Sequence, residues 1–220
     1  SFANFIRYGF ITSPQTIYQN IFKVRAGEMV WISLDDPGIR LTKQRWWAPL
    51  TPSVQPKFSN PLPSRNYLTK FDEVIEEVVN EQCTADVSVG VLLSSGIDSS
   101  LVAAVASQAS PKPLKTFTVG YINNQHDESR DAERVAKHIG SDHFTQIFSE
   151  DEILSIIQQL PSIYDEPFAD SSQIPTSLIA NFAAKHVSVA LTGDGGDEIF
   201  FGYNRYRWAP RIHHFSSRLP

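Results

Sequence analysis

Four short apolar runs, at residues 87–93, 116–119, 143–148 and 187–191, alternate with stretches in which apolar side chains recur every three or four positions. That alternation limits the fold more than any other feature of the chain. Strands with so few polar positions must be covered on both faces, and helical crossovers between them make neighbouring strands parallel. The expected architecture is therefore α/β, a parallel sheet with helices on both faces. Helices are expected over residues 99–108, 129–139, 150–163 and 173–185. Ser149 with Glu152 forms a capping-box pattern ahead of the third, and Gly140 follows Ile139 as a stop for the second. An earlier helix, capped by Ser64, carries Leu68, Phe71, Ile75, Val79 and Cys83 at three- and four-residue spacing, which makes one apolar stripe.

Upstream of that helix the pattern changes. Residues 29–34 and 39–45 flank Asp35-Asp36-Pro37-Gly38, where Pro fixes φ and Gly tolerates a positive φ, so a β-hairpin is expected. Pro49, Pro52, Pro56, Pro61 and Pro63 then crowd a short polar stretch and prevent a continuous helix or central strand. The expected organisation is a first segment at 1–48, a linker at 49–63 and a second domain from residue 64 onward.

A chain of 220 residues with 41% hydrophobic content can bury one substantial core plus a smaller appended unit. The formal net charge of -5 gives no basic footprint for neutralising nucleic-acid phosphates, so no nucleic-acid partner is expected. No apolar run approaches the roughly 20 residues of a membrane-spanning helix. Cys83 is the only cysteine, which excludes an internal disulfide and fits a reducing, cytoplasmic setting. Its place on the apolar stripe makes it a core residue rather than a reactive thiol. The start, Ser1-Phe2-Ala3-Asn4-Phe5, has no initiator Met and no basic or apolar leader pattern, and reads as a piece of something longer.

The chemistry concentrates in two loops. The apolar run at 87–93 passes directly into Ser94-Ser95-Gly96-Ile97-Asp98-Ser99-Ser100, and Leu101 continues as an apolar helix. At such a strand-loop-helix junction the free N–H groups of the first turn and the positive end of the helix dipole point outward together, and attract an anion. Small side chains let phosphate oxygens approach, Gly96 permits unusual φ, and four serine hydroxyls add donors. Asp98 would repel a polyphosphate unless a cation intervened, and Mg2+ is bound by one or two carboxylates together with phosphate oxygens. A serine-rich helix cap is the plainer explanation of the same residues. The Walker loop is excluded because no Gly-Lys pair precedes Ser or Thr. The dinucleotide fingerprint fails at Glu198, and no loop serine has the flanking glycines of a hydrolase elbow.

The string Leu92-Leu93-Ser94-Ser95-Gly96-Ile97-Asp98-Ser99-Ser100 resembles the Ser-Gly-Gly-x-Asp-Ser pyrophosphate loop (PP-loop) of the N-type ATP pyrophosphatases, with Ser95 in place of the first glycine. The second loop, Thr192-Gly193-Asp194-Gly195-Gly196-Asp197-Glu198-Ile199-Phe200-Phe201-Gly202-Tyr203, is an acidic, glycine-rich turn after the run at 187–191. It is similar to the Ser-Gly-Glu-Gly-x-Asp-Glu-x-Phe-x-Gly-Tyr segment of asparagine synthetases and β-lactam synthetases. The stretch from Phe5-Ile6-Arg7-Tyr8-Gly9-Phe10 to Trp46-Trp47 resembles the end of that family's N-terminal glutaminase domain.

The resemblance implies a fold of the PP-loop ATP pyrophosphatase kind and a reaction in which ATP adenylates a carboxylate, pyrophosphate leaves, and glutamine-derived ammonia forms the amide. It implies ATP and Mg2+ as cofactors, a small carboxylate substrate with aspartate as the default, and a glutaminase domain in the same full-length chain, and it allows a homodimer. By motif position, Leu92 and Val119 fall against the adenosine. Ser94, Ser95, Gly96, Ser99, Ser100, Thr192 and Gly193 fall around the phosphates, and Asp98 and Asp197 at the metal. Asp194 stands where most members carry a glutamate with an acid/base or positioning role. A pyrophosphate-binding lysine falls past residue 220 in the family pattern, so the fragment alone is expected to be inactive. Two other readings remain open, a β-lactam-synthetase-like enzyme using an internal amine and a non-catalytic nucleotide-binding module.

Other polar groups carry less. Asp165-Glu166-Pro167 and Asp170-Ser171-Ser172 precede a helix and read as capping residues, with the border of a substrate pocket as the competing role. The six histidines show no metal-ligand spacing, and Trp46-Trp47 reads as a packing anchor after the hairpin.

Overall fold

The computed structural model describes residues 1–34, 38–48, 65–122 and 127–216. The turn at Asp35-Asp36-Pro37, the proline-rich linker and the Ser64 cap lie outside the described residues. The chain divides into two compact units, Ser1–Pro63 with Gln158–Gln173, and Ser64–Ile157 with Ile174–Pro220.

In the first unit, helix α1 (Phe2–Tyr8) ends at Gly9, whose φ of 78° places it in the left-handed region and whose N–H donates to the Phe5 carbonyl at 2.8 Å. Strands β1 (Glu28–Ser33) and β2 (Arg40–Arg45) pair antiparallel from Glu28↔Arg45 to Ser33↔Arg40, so the expected hairpin forms. Trp46 is 70% exposed, and the expected packing anchor is instead a backbone closure in which the Trp46 and Trp47 N–H groups both donate to Gly27 O. Residues 158–173 join this unit although no local pattern in them signals it. Glu166 forms an ion pair with Lys23 and accepts a 2.6 Å hydrogen bond from the Ile17 N–H, while Lys23 also donates to Ile11 O at 2.9 Å. Tyr18 donates to Asp165 O at 2.9 Å, and the Ala169 N–H to Gly9 O at 2.6 Å. The Lys23 hydrogen bond holds the Glu166 carboxyl below the usual carboxylate range. Glu166 is thus a staple between distant stretches of chain, neither a cap nor a pocket residue. Asp170 does take the local turn role, accepting the Ser172 N–H at 2.8 Å just before α6 (Gln173–Ala183).

The second unit holds helix α2 (Arg65–Cys83) and a four-stranded parallel sheet of β3 (Val89–Leu92), β4 (Lys115–Tyr121), β5 (Asp142–Phe148) and β6 (Val189–Leu191), in the order β5-β4-β3-β6. Helices α3 (Ile97–Ala109), α4 (Ser129–Ile139), α5 (Glu150–Ile163) and α6 connect the strands. Alternate residues of the strands feed two cores, as expected of a sheet covered on both faces. Val91 and Leu93 pack with Val79 of α2, Ala103 and Ala106 of α3, and Ala132 and Ala136 of α4. Leu92, Phe117 and Phe144 pack with Ile179, Phe182 and Ala183 of α6. Phe117 is fully buried, stacked on Phe144 at 5.4 Å and edge-on to Phe182 at 5.9 Å.

The capping box forms, since Ser149 N–H and Oγ both lie 2.8 Å from Glu152 Oε2, and Gly140 ends α4 at φ 70°. The α2 stripe is graded: Val79 is buried, Ile75 and Cys83 pack half-buried against the core, and Leu68 is 53% exposed. Burial pushes the Cys83 thiol up, away from the thiolate, in keeping with an unreactive core position.

One buried polar group ties stability to pH. Thr116, with no exposed surface, shares a 2.8 Å hydrogen bond with His143 Nδ1 and a 2.9 Å bond with Ser141 Oγ, while His143 Nε2 is buried without a partner among the described residues. Burial lowers the His143 pKa, with Glu133 opposing. A folded-state value below the unfolded one means that the unfolded chain takes up the proton first as pH falls. Stability is therefore full above the ordinary histidine value of about 6.5 and declines as pH drops through it. Thermal melts at about pH 7 and about pH 5 should show a smaller loss of Tm for His143→Asn than for the parent. An equal loss in both would remove His143 from this account.

Candidate active site

The first loop is shaped by its own serines. Ser94 N–H donates to Ser99 Oγ at 3.1 Å, the Ser94 and Ser99 hydroxyls lie 2.7 Å apart, and Gly96 N–H donates to Ser94 Oγ at 3.1 Å. Ser100 Oγ donates back to Gly96 O at 2.7 Å. Gly96 has φ -66° and ψ 149°, so the unusual φ expected there is not used. Its missing side chain still matters, because a Cβ would stand 3.1 Å from Ser94 Oγ. The hydroxyls of Ser94, Ser99 and Ser100, expected to face phosphate, bond within the loop and to the start of α3. Ser95 donates outward, to Glu128 Oε2 at 2.6 Å.

The second loop folds down onto the first. After β6, Asp194 N–H donates to Thr192 Oγ1 at 3.2 Å, and Gly195 adopts φ 91°, a conformation that favours glycine. A Cβ on Gly193 would come within 2.6 Å of Ser99 N and 3.0 Å of Ser99 Cα. A Cβ on Gly196 would fall on the Asp98 carboxylate. The two glycines therefore allow direct contact between the second loop and the start of α3. Asp197 follows in the short helix α7 (Gly196–Phe200), its carboxylate lying against Gly202. Beyond it, Tyr203 donates to Glu198 at 2.9 Å, and that bond pushes the phenol pKa up, while the Arg205 guanidinium stacks 4.0 Å over the Tyr203 ring. Arg205 lies in the first turn of helix α8 (Asn204–Ser216).

Between the loops lies a cavity of about 830 Å³, a volume suited to a ligand the size of a nucleotide. It opens at the carboxyl ends of β3 and β6. The connection from β3 crosses to β4 on its other side, so the strand order reverses here, which is where open α/β sheets bind ligands. Of the residues singled out from sequence, Leu92, Ser94, Gly96, Asp98, Ser99, Val119, Thr192, Gly193, Asp194 and Asp197 line it. Ser95 and Ser100 do not; their hydroxyls are committed to Glu128 and Gly96 O. Asp165, Glu166 and Asp170 are also absent from the lining.

Several lining residues escaped the sequence reading, among them Phe71, Pro175, Thr176, Ile179 and Phe200. Phe71 sat on the α2 stripe and reads as core, yet it is 38% exposed and packs edge-on to Phe200 at 5.7 Å. Helical spacing marks which face is apolar but not where along the helix the core stops. Among the described residues no three His, Cys, Asp or Glu side chains group as a metal cage. Asp98 and Asp197 line one cavity beside a loop suited to phosphate, a donor set that matches an ion held by carboxylates and ligand oxygens together.

The family model for asparagine synthase matches residues 70–220, which include both loops and every residue of the cavity. The chain belongs to the asparagine synthase family. It is 33% identical over 202 residues to a putative glutamine-hydrolysing asparagine synthetase of Mycobacterium bovis, covering 90% of this chain and 29% of the relative. It is 34% identical over 204 residues to a putative glutamine-hydrolysing asparagine synthetase 2 of Methanocaldococcus jannaschii, covering 90% and 38%. The chain thus spans about a third of the length of these curated relatives. Among solved structures it shows a likeness to an NH3-dependent NAD synthetase of Campylobacter jejuni, with a TM-score of 0.43, 19% identity, and 62% and 60% of the two chains covered. Among the described residues no helix is long and apolar enough to cross a membrane.

Proposed function

We propose that this chain is the ATP-cleaving part of a glutamine-dependent amidotransferase that adenylates a small carboxylate, aspartate by default, and converts the adenylate to an amide. The observation that supports this best is the contact of Gly193 and Gly196 with the start of α3, which makes two motif loops the walls of one nucleotide-sized cavity. In this reading residues 1–48 are the end of a glutaminase domain, 49–63 a linker, and 64–220 the first part of the synthetase domain. Ammonia would come from the glutaminase domain of the same full-length protein, working in the cytoplasm.

Leu92 and Val119 form the apolar side of the cavity, where an adenine ring would be shielded from water. The first turn of α3, with Thr192 and Gly193 opposite, receives the phosphates through backbone N–H groups and the helix dipole. Ser94 and Ser99 line the cavity while their bonded hydroxyls keep that turn in shape, and Ser100 braces it from outside the lining. Asp98 and Asp197 would hold Mg2+, which when bound neutralises charge on the phosphates and helps pyrophosphate depart. The substrate carboxylate oxygen bonds to the α-phosphorus as the bond from that phosphorus to the bridging oxygen of the β-phosphate breaks, and pyrophosphate carries off the electron pair. Ammonia then attacks the acyl carbon and AMP leaves. Held orientation, more than any covalent help, is what such a site contributes. Asp194 lines the same cavity and would orient the acceptor or move a proton at the acyl carbon.

The full-length protein, given ATP, Mg2+, glutamine and aspartate, should release pyrophosphate and AMP in equal amounts to the ATP consumed. Release of ADP and inorganic phosphate instead would reject cleavage between the α- and β-phosphates. Nitrogen traced from labelled glutamine should appear in the product amide.

A further inference from the structure

Among the described residues one side-chain hydrogen bond holds the first loop from outside, and it involves the residue that departs from the family's usual pattern. Ser94, Ser99 and Ser100 tie the loop to itself and to the first turn of α3. Ser95 alone among these serines reaches another element, donating to Glu128 Oε2 at 2.6 Å across 33 residues. Glu128 is well placed to be an anchor. Its carbonyl accepts the Asp131 and Ala132 N–H groups at 3.1 and 3.0 Å, so its backbone is fixed in the opening turn of α4. The adjacent Asp127 accepts from Ser129 Oγ at 2.8 Å and from its N–H at 3.2 Å, which steadies the same turn. α4 in turn is anchored by Ala132 and Ala136, both fully buried in the core beneath the sheet.

We propose that Ser95 and Glu128 are a positioning pair, a latch between the loop after β3 and the start of α4 that presets the phosphate-binding loop for ATP. The inference rests on the assignment of this cavity to ATP. Neither residue lines the cavity, so the pair acts through the loop and not by touching the nucleotide. A loop already held in its binding shape loses less conformational freedom when the ligand arrives, and affinity rises accordingly. The carboxylate also stands near a site for an anion. Bonding to the Ser95 hydroxyl is what makes its presence there favourable; without that bond it would only repel.

Calorimetry of Mg2+-ATP binding to the full-length protein and to Ser95→Ala, Glu128→Ala, Ser95→Ala/Glu128→Ala and Glu128→Gln tests this, with melting temperatures measured in parallel. Each single alanine variant should bind roughly fivefold more weakly, the size expected from one net hydrogen bond. The double variant should be no weaker than either single one, and Glu128→Gln, whose amide oxygen accepts the same bond, should bind within about twofold of the parent, the repulsive carboxylate being gone. Melting temperatures should fall by no more than a few degrees in any variant, the size expected from one exposed hydrogen bond. Tighter binding by Glu128→Ala, additive losses in the double variant, or unaltered affinity in Ser95→Ala would each overturn the latch. Those results would leave the ATP assignment standing, whereas a parent protein that fails to bind Mg2+-ATP would overturn both.

Discussion

Replacing Asp98 with alanine is expected to weaken Mg2+-dependent ATP binding by roughly 100-fold or more, since deletion of even an indirect metal partner commonly costs 10–100-fold and Asp98 would be one of only two protein carboxylates on the ion. The same change should leave the fold almost untouched. Asp98 is half-buried in the first turn of α3, and its folding contribution there is an interaction with the helix dipole of about 0.3–1 kcal/mol. The two magnitudes separate the readings of this residue. A helix cap that merely favours the dipole would show up in the melting temperature and scarcely in nucleotide affinity. A metal carboxylate would do the reverse. Asp98→Asn sharpens the comparison, because it keeps the shape of the side chain over Gly196 and removes only the charge. Isothermal titration with ATP, in the presence and absence of Mg2+, alongside circular dichroism, would decide the matter. An alanine variant that binds Mg2+-ATP like the parent would end the assignment of Asp98 to the ion.

The sheet and its helices were legible because each signal was local. α4 ends at its glycine stop and α5 begins at its capping box, with Gly140 in the left-handed region and Ser149 and Glu152 bonded reciprocally. Strand β3 is apolar on both sides, and Val91 and Leu92 do face two different cores. The cavity was legible in part for the same reason, since most of the residues that loop composition singled out at the two strand ends do line it. What could not be read were facts of long range. Nothing in Asp165-Glu166 announces that Lys23 and Ile17 lie across from Glu166, about 140 residues back along the chain. The inward use of the serine hydroxyls was hidden too, because a serine in a tight turn can bond either to a ligand or to its own loop, and only the backbone path chooses. Phe71 and Phe200 reached the cavity wall through the placement of α2 and α7, which no helical period specifies.

The contact between the two loops gives the second large expected effect. Gly193→Ala adds one methyl group where the nearest atoms are Ser99 N at 2.6 Å and Ser99 Cα at 3.0 Å. Both are backbone atoms at the start of a helix packed into the core, so no flexible side chain can swing away, and the second loop must withdraw. Overpacking of this kind costs about 1–3 kcal/mol. The larger consequence is functional, because withdrawal pulls Thr192, Asp194 and Asp197 back from Asp98 across the cavity. Gly195→Ala is the matched control. It too is unfavourable, since Gly195 sits at φ 91°, where a side chain costs roughly 1–2 kcal/mol, but an added Cβ there meets nothing within 4 Å. The two variants should therefore lose comparable stability while differing in nucleotide affinity by at least about tenfold, the value that a displacement costing 1.4 kcal/mol in binding would produce. Equal affinities in Gly193→Ala and Gly195→Ala would mean that closeness at Ser99 serves only the fold. A selective loss in Gly193→Ala would establish that the gap between the turns, set by the absence of a single methyl group, is what shapes the site around the polyphosphate.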